Sequence, residues 1–262
     1  MNEPAGNEPA GNEAEPIVRV NGVAQRFGAR TIFHDVSFSV TTGEIFVILG
    51  GSGCGKSTLM KLMIGLRPPS AGSIELYGQI ITGPQGAANR WATLRRIGVM
   101  FQSGALFGSM TLLENVMLPL EMYTDLPAAG REAVARIKLG LVGLGEACEL
   151  MPAEISGGMA RRAGIARAMA LDPPLLFLDE PSAGLDPITS AGLDRLILDL
   201  RQELGATFVV VTHELASILA IADRCIMLDS TAEGIIAEGD PRHLRDTSEN
   251  RTVRAFFRRE IL

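Results

Sequence analysis

The stretch Gly50-Gly51-Ser52-Gly53-Cys54-Gly55-Lys56-Ser57 has the residue types and the spacing to hold a polyphosphate. It fits G-x-x-x-x-G-K-[S/T] without a gap. The glycines let successive backbone N–H groups converge on an anion, and a helix starting at their end adds the positive end of its dipole. Lys56 supplies a point charge for the terminal phosphates, Ser57 offers a hydroxyl to a magnesium ion, and Thr58 closes the binding stretch. Cys54 reads as a small residue filling a variable position. Asp179 and Glu180 are adjacent carboxylates that can divide labour, the first in a magnesium shell and the second polarising a water for in-line attack on the terminal phosphorus. Gln102 and His213 are polar side chains that follow apolar runs. Beside Glu180, a histidine can sense the terminal phosphate. Taken singly, either carboxylate could instead cap the next element, and His213 could be a satisfied histidine at a strand end.

These groups need a scaffold that brings them to one edge. Glu44–Leu49 is a continuous apolar run that reads as a buried parallel strand, and Thr58–Ile64 has helical spacing. Apolar runs Arg95–Phe101, Leu175–Leu178 and Thr207–Thr212 read as further buried strands, which end in Gln102, Asp179-Glu180 and His213. In open α/β sheets ligands gather beyond the carboxyl ends of strands, so all four ends are expected to share one site. Ile17–Val20, Ile32–Val40 and Ser73–Tyr77 read as strands before and after the phosphate loop. Phe27 is expected on a loop, where its ring could stack on a base or serve as a core aromatic at a strand end.

Between Leu112 and Asp172 alternating strands give way to helical spacing at Leu112–Met122, Ala128–Val142 and Gly158–Leu171. This predicts a helical subdomain, about 103–172, inserted into the sheet domain of 17–250. Ser156-Gly157-Gly158 at the start of the third helix forms a second glycine-rich anion nest. Helix Thr189–Leu204, a strand pair at Ile226–Leu228 and Ile235–Ala237, and a basic helix at Arg251–Arg259 complete the chain, with 251–262 forming a short C-terminal unit. Arg161 and Arg162 read as a solvated helix face. In the last helix Val253, Phe256 and Phe257 are expected to dock on the chain's own domain.

Whole-chain properties narrow the partners. A length of 262 residues allows a substantial core. A net charge of −6 does not favour a nucleic-acid backbone. Three cysteines lack metal-ligand spacing and suit a reducing compartment. No run of about eighteen apolar residues occurs, so no bilayer span is expected, and no signal peptide is visible. Residues 1–16 repeat Asn-Glu-Pro-Ala-Gly with small variations and read as a disordered acidic tail. The mean hydropathy of +0.21 suggests apolar surface covered by a partner, or simply a large core.

The ordered set of motifs resembles the nucleotide-binding subunit of ATP-binding-cassette transporters across nearly all of 17–250. Ile155-Ser156-Gly157-Gly158-Met159 is similar to that family's signature loop, with Met where Gln is usual. Leu175–Glu180 resembles the Walker B strand, Ser182–Asp186 the D-loop, His213 the switch histidine, Gln102 the Q-loop and Phe27 the adenine-stacking aromatic. The resemblance implies a P-loop NTPase sheet core with ATP and Mg2+ as cofactors, Gln102 joining Ser57 and Asp179 around the metal. It also implies catalytic roles for Lys56, Gln102, Glu180 and His213. Two copies would pair head to tail, each ATP held between one chain's phosphate loop and the other's Ser156-Gly157-Gly158.

Phe101–Phe107, Ser156–Arg162 and Asp186–Thr189 further resemble the ATPases of Mla (Mce-type) phospholipid transporters. That branch implies a membrane permease, an Mce-domain lipid-binding protein, a small STAS-domain subunit and phospholipid moved between two bacterial membranes. The chain would then sit peripherally on the cytoplasmic face of the inner membrane. Leu106–Leu113, apolar and directly after Gln102, is the expected docking stretch for the permease, or else core of the helical insert. Competing functions are a motor for another solute, a cassette protein acting on ribosomes or DNA, and a nucleotide-binding regulator without turnover. The chain has neither the second cassette nor the long coiled-coil insertion typical of the second class. Glu180 argues against the third.

Overall fold

The computed structural model describes residues 15–83, 86 and 90–260. The predicted tail of 1–16 lies outside the described residues except for Glu15 and Pro16, and Pro16 already opens the first strand. In chain order the first elements are β1 (Pro16–Phe27), β2 (Arg30–Thr41), β3 (Ile45–Gly50), α1 (Lys56–Met63), β4 (Ala71–Leu76), β5 (Gln79–Ile80), α2 (Arg90–Leu94) and β6 (Ile97–Met100). Then come α3 (Leu112–Tyr123), α4 (Ala128–Leu141), α5 (Gly157–Ala168), β7 (Leu175–Asp179), α6 (Pro187–Leu204) and β8 (Thr207–Val211). The chain closes with α7 (Leu215–Ile221), β9 (Arg224–Asp229), β10 (Gly234–Gly239), α8 (Pro241–Thr247) and α9 (Arg251–Arg258).

Two sheets result. The larger runs β10-β9-β3-β8-β7-β6, with parallel pairing from β9 to β6 and β10 antiparallel at the edge. The smaller is antiparallel, in the order β2-β1-β4-β5. Every residue of β3, β7 and β8 is buried. Those strands read as unbroken apolar runs because both faces of a parallel sheet are covered, which removes the polar alternation of a half-exposed strand. Within β3, Ile45, Val47 and Leu49 enter one hydrophobic cluster with the helices, whereas Phe46 and Ile48 enter a second with α1 and the small sheet. The strand's two-residue period thus divides one segment between two cores.

Helices occupy the interval between β6 and β7, as the spacing predicts. Thr111 caps α3 in a reciprocal capping box with Glu114, so the helix starts sharply at Leu112. Helix α6 begins at Pro187, two residues ahead of prediction, because Asp186 accepts from the backbone N–H of Ile188 and Thr189 and proline suits the first helical position. The sequence reading missed α2, α7 and α8. Helix α7, only Leu-Ala-Ser-Ile-Leu-Ala-Ile, is a short apolar run whose type periodicity cannot decide. Val253 and Phe257 of α9 join the larger cluster, so the basic C-terminal helix docks on its own domain through those side chains.

Candidate functional site

The carboxyl ends of the central strands open onto a cleft of ≈ 810 Å³. The phosphate loop forms its floor. Gly50, the last residue of β3, has φ 145°, and a Cβ there would stand 2.3 Å from Leu228 O and 2.8 Å from Cys54 Sγ. At Gly55, with φ 104°, a Cβ would fall 2.7 Å from Ile32 Cγ2. The loop can therefore follow this path only with glycine at both positions. The Gly51 and Gly53 Cβ positions have nothing within 4 Å, so the loop's outer face is free to receive a ligand. Cys54 turns its side chain inward beneath the loop, and burial pushes its thiol pKa up. That residue lends only backbone to the cradle.

Lys56 is 8% exposed and donates from Nζ to Gly50 O at 2.8 Å and Gly51 O at 3.0 Å. The ammonium is thus held over the loop by the carbonyls of Gly50 and Gly51. Ser57 Oγ donates to Asp179 Oδ1 at 3.4 Å. Asp179 is 8% exposed, and burial followed by the neighbouring charge of Glu180 raises its pKa above the ordinary carboxylate value. A hydroxyl and a buried, charge-stressed carboxylate facing each other fit a hard divalent cation, which would relieve the stress on Asp179.

Glu180 and His213 face each other across the cleft, with Nδ1 of His213 2.8 Å from Oε1 of Glu180. Glu180 adopts φ 49°, a left-handed conformation that a side chain avoids unless the surroundings impose it. Here they do: its N–H donates to Val211 O of β8 at 2.8 Å, and its carbonyl accepts from Ala183 N at 3.3 Å. Its second oxygen, Oε2, is buried with no hydrogen-bond partner among the described residues. Glu180 lines the same cleft as the phosphate loop, and a carboxylate with one oxygen oriented by histidine is placed there to take a proton from water. Gln102 stands at the start of a short 3-10 turn after β6 and lines the same cleft.

Phe27 ends β1 rather than lying on a loop, because β1 runs unbroken, with bulges, to its hairpin with β2. It lines the cleft's open end with Arg30 and Ile32, and the Arg67 guanidinium lies 4.7 Å from its ring centre. Arg30 and Ile32 escaped the sequence reading, although their position just past the Phe27 turn was the available signal. So did the place of Phe256: α9 brings it to the cleft wall. Ser156, Gly157 and Gly158 do not line this cleft. They start α5, where Ser156 Oγ accepts from Met159 N at 3.3 Å, and Ser156 and Gly157 are exposed.

One further expectation needs correction. Arg161 is not on a solvated face. It is 7% exposed and donates from Nη2 to Ala183 O at 3.0 Å, because α5 packs that side on the 180–186 loop. In the stretch 106–113, Leu112 and Leu113 are buried in the larger core, leaving Phe107 as its exposed apolar member.

Comparison with known proteins matches this arrangement. A family model described as "ABC transporter" covers residues 33–183. The chain is 43% identical to the intermembrane phospholipid transport system ATP-binding protein MlaF of Escherichia coli, over 86% of this chain and 86% of MlaF. It is 40% identical to a probable ribonucleotide transport ATP-binding protein, mkl, of Mycobacterium tuberculosis, over 92% of this chain but only 66% of that longer protein. Among solved structures, the ATP-binding cassette MJ0796, a dimer in a post-hydrolysis state with ADP and Pi, superposes with a TM-score of 0.74 at 28% identity, over 85% of this chain and 98% of that one. On sequence, fold and cleft alike, the chain belongs to the ABC transporter family as one of its ATP-binding cassettes.

Proposed function

We propose that this chain is the ATP-hydrolysing subunit of a transporter that moves phospholipid between the inner and outer membranes of a bacterium. The observation that carries the reading is the Glu180–His213 pair facing the phosphate loop, in a chain 43% identical to MlaF. When bound, Mg-ATP supplies the phosphoanhydride and a cation that neutralises its charge. The loop's N–H groups and Lys56 bind the phosphates. Ser57, Asp179 and Gln102 would hold the metal, whose charge would offset that of the phosphates. Glu180 takes the proton from the attacking water while His213 orients the carboxylate.

Ser156-Gly157-Gly158 lies outside its own chain's cleft, which supports a head-to-tail pair in which that nest completes the second copy's site. The dimer of MJ0796 gives the precedent within the family. Binding of two ATP would then close the pair, and hydrolysis would release it.

Among the described residues no helix is long and apolar enough to cross a membrane, so the reading places the chain peripherally, held by a permease on the inner membrane's cytoplasmic face. An apolar groove of ≈ 430 Å³ lined by Trp91, Leu94, Val99, Phe101, Pro119 and Tyr123 suits a permease helix. Arg167 also lines it and donates to Gly104 O at 3.0 Å, two residues beyond Gln102. An Mce-domain lipid carrier and a small STAS-domain subunit complete the proposed assembly, and 103–172 acts as its helical subdomain. A second reading, transport of another solute, follows from the mycobacterial relative named for ribonucleotides.

Tagging the chromosomal copy, purifying it from membranes and identifying co-purifying proteins and lipids tests the reading. A permease with an Mce-domain partner and bound phospholipid is the expected result. A permease with a different solute-binding protein and no lipid would overturn it in favour of the second.

A further inference from the structure

Arg161 forms no ion pair to account for its burial among the described residues. Its Nη2 donates to Ala183 O, whereas Nη1 is buried with no hydrogen-bond partner among the described residues. A buried guanidinium with an unmet donor is a costly group, and its retention asks for a reason beyond packing.

The reason lies in what Ala183 belongs to. Ala183 N donates to Glu180 O at 3.3 Å, closing a turn whose first residue is the strained Glu180. On the far side Ser182 Oγ lies 3.2 Å from Ser217 Oγ of α7. The turn is thus pinned from α7 by a serine and from α5 by Arg161. The first residues of α5 approach the chain just past that turn: a Cβ at Gly157 would lie 3.6 Å from Leu185 Cδ2, and one at Gly158 only 2.4 Å from Thr189 Cγ2 of α6. The start of α5, the 180–186 loop and the start of α6 therefore form one packed body with the Glu180 carboxylate at its edge.

We infer that Arg161 is a positioning residue, coupling the Ser156-Gly157-Gly158 loop to the Glu180 carboxylate so that a nucleotide gripped by that loop sets the geometry for hydrolysis in the same chain's own cleft. The inference rests on the two-chain reading above, in which the gripped nucleotide belongs to the second copy. A tight body transmits a displacement of α5 to the turn, and the planar fork of arginine, with a spare donor, keeps hold of the turn as the two shift. Each chain would thus sense the partner's occupied site before committing its own.

The test uses the full chain in its membrane complex, with Arg161→Met, which keeps length and apolar burial, and Arg161→Lys, which keeps one donor and the charge. In Arg161→Met the Kd for an ATP analogue should stay within about twofold, because no residue of the cleft is altered, while kcat falls about tenfold or more from a displaced carboxylate. The Hill coefficient for ATP should drop to about 1, the value of uncoupled sites. Arg161→Lys should recover part of both, and should it fold where Arg161→Met does not, it decides alone. Unchanged kcat and Hill coefficient would overturn the inference, as would kcat and ATP affinity falling together with the melting temperature. A separate control, ATP-dependent dimerisation of Glu180→Gln with Arg161 intact, reports on the two-chain reading. If that dimer forms and Arg161→Met is neutral, the coupling alone is wrong.

Discussion

Nδ1 of His213 lies 2.8 Å from Oε1 of Glu180, with the imidazole 54% exposed and the carboxylate largely covered. When the carboxylate is ionised the bond runs from an Nδ1–H of His213, which fixes both the tautomer and the direction in which the bare Oε2 points. The histidine thus sets the carboxylate's aim from the solvent side of the cleft, where an incoming phosphate would meet it.

Glu180→Gln should keep ATP and trap an ATP-dependent dimer while slowing hydrolysis by about a hundredfold or more, the low end for loss of a positioned base. Steady-state phosphate release and size-exclusion with ATP check this. Ordinary turnover in that variant would remove Glu180 from the mechanism.

Lys56→Ala should lose nucleotide affinity, since the loop keeps its N–H groups but loses the ammonium now held by Gly50 O and Gly51 O. Isothermal titration calorimetry gives the answer, and undiminished binding would refute the phosphate-contact role.

Asp179 carries a stability consequence with a definite sign. Burial and Glu180 raise its folded-state pKa, so the folded chain resists ionisation that the unfolded chain accepts. Below the ordinary carboxylate range both states are protonated and nothing is lost. As pH rises through that range into the raised value, folding loses stability, and the loss persists at neutral pH. Asp179→Asn should therefore raise the melting temperature of the nucleotide-free chain at pH about 7, by roughly 2–4 °C per kcal/mol removed, with the gain shrinking in acid. Hydrolysis dependent on magnesium should disappear in the same variant. A melting temperature that falls at neutral pH would show that the carboxylate is better satisfied than its surroundings indicate.

Gly158→Ala should destabilise the chain by about 1–3 kcal/mol, the usual cost of an added methyl without room, because its Cβ would meet Thr189 Cγ2. Thr189→Ala should recover most of that loss in the double variant, although it gives up the bond from Thr189 Oγ1 to Asp186 Oδ2. Denaturant unfolding of the four proteins completes the cycle, and additive costs would show that the two positions do not touch.

Much of the cleft was legible in the amino-acid order because the interactions that build it are local. A glycine path into a helix start, a lysine at its end and two carboxylates after an apolar run are set within a few residues of backbone. The runs of β3, β7 and β8 announced parallel, doubly covered strands for the same reason. Three features were beyond local reading. Arg161 reads as a surface residue by charge alone, and only the carbonyl of Ala183, brought in from the far side of β7, turns it inward. Phe256 reads as a docking residue of a basic helix, and only the path of α9 brings it to the phosphate cleft. The strain at Glu180 depends on Val211 O in a neighbouring strand.

The amino-acid order alone thus announces the kind of ligand and the groups available to meet it, because phosphate cradles and adjacent carboxylates are properties of short segments. Tertiary structure decided which of those groups share a cleft and which face away. Parallel pairing of β3, β8, β7 and β6 aligns their carboxyl ends, so Gln102, Glu180 and His213 converge on the loop, while Ser156 opens a helix outside that cleft.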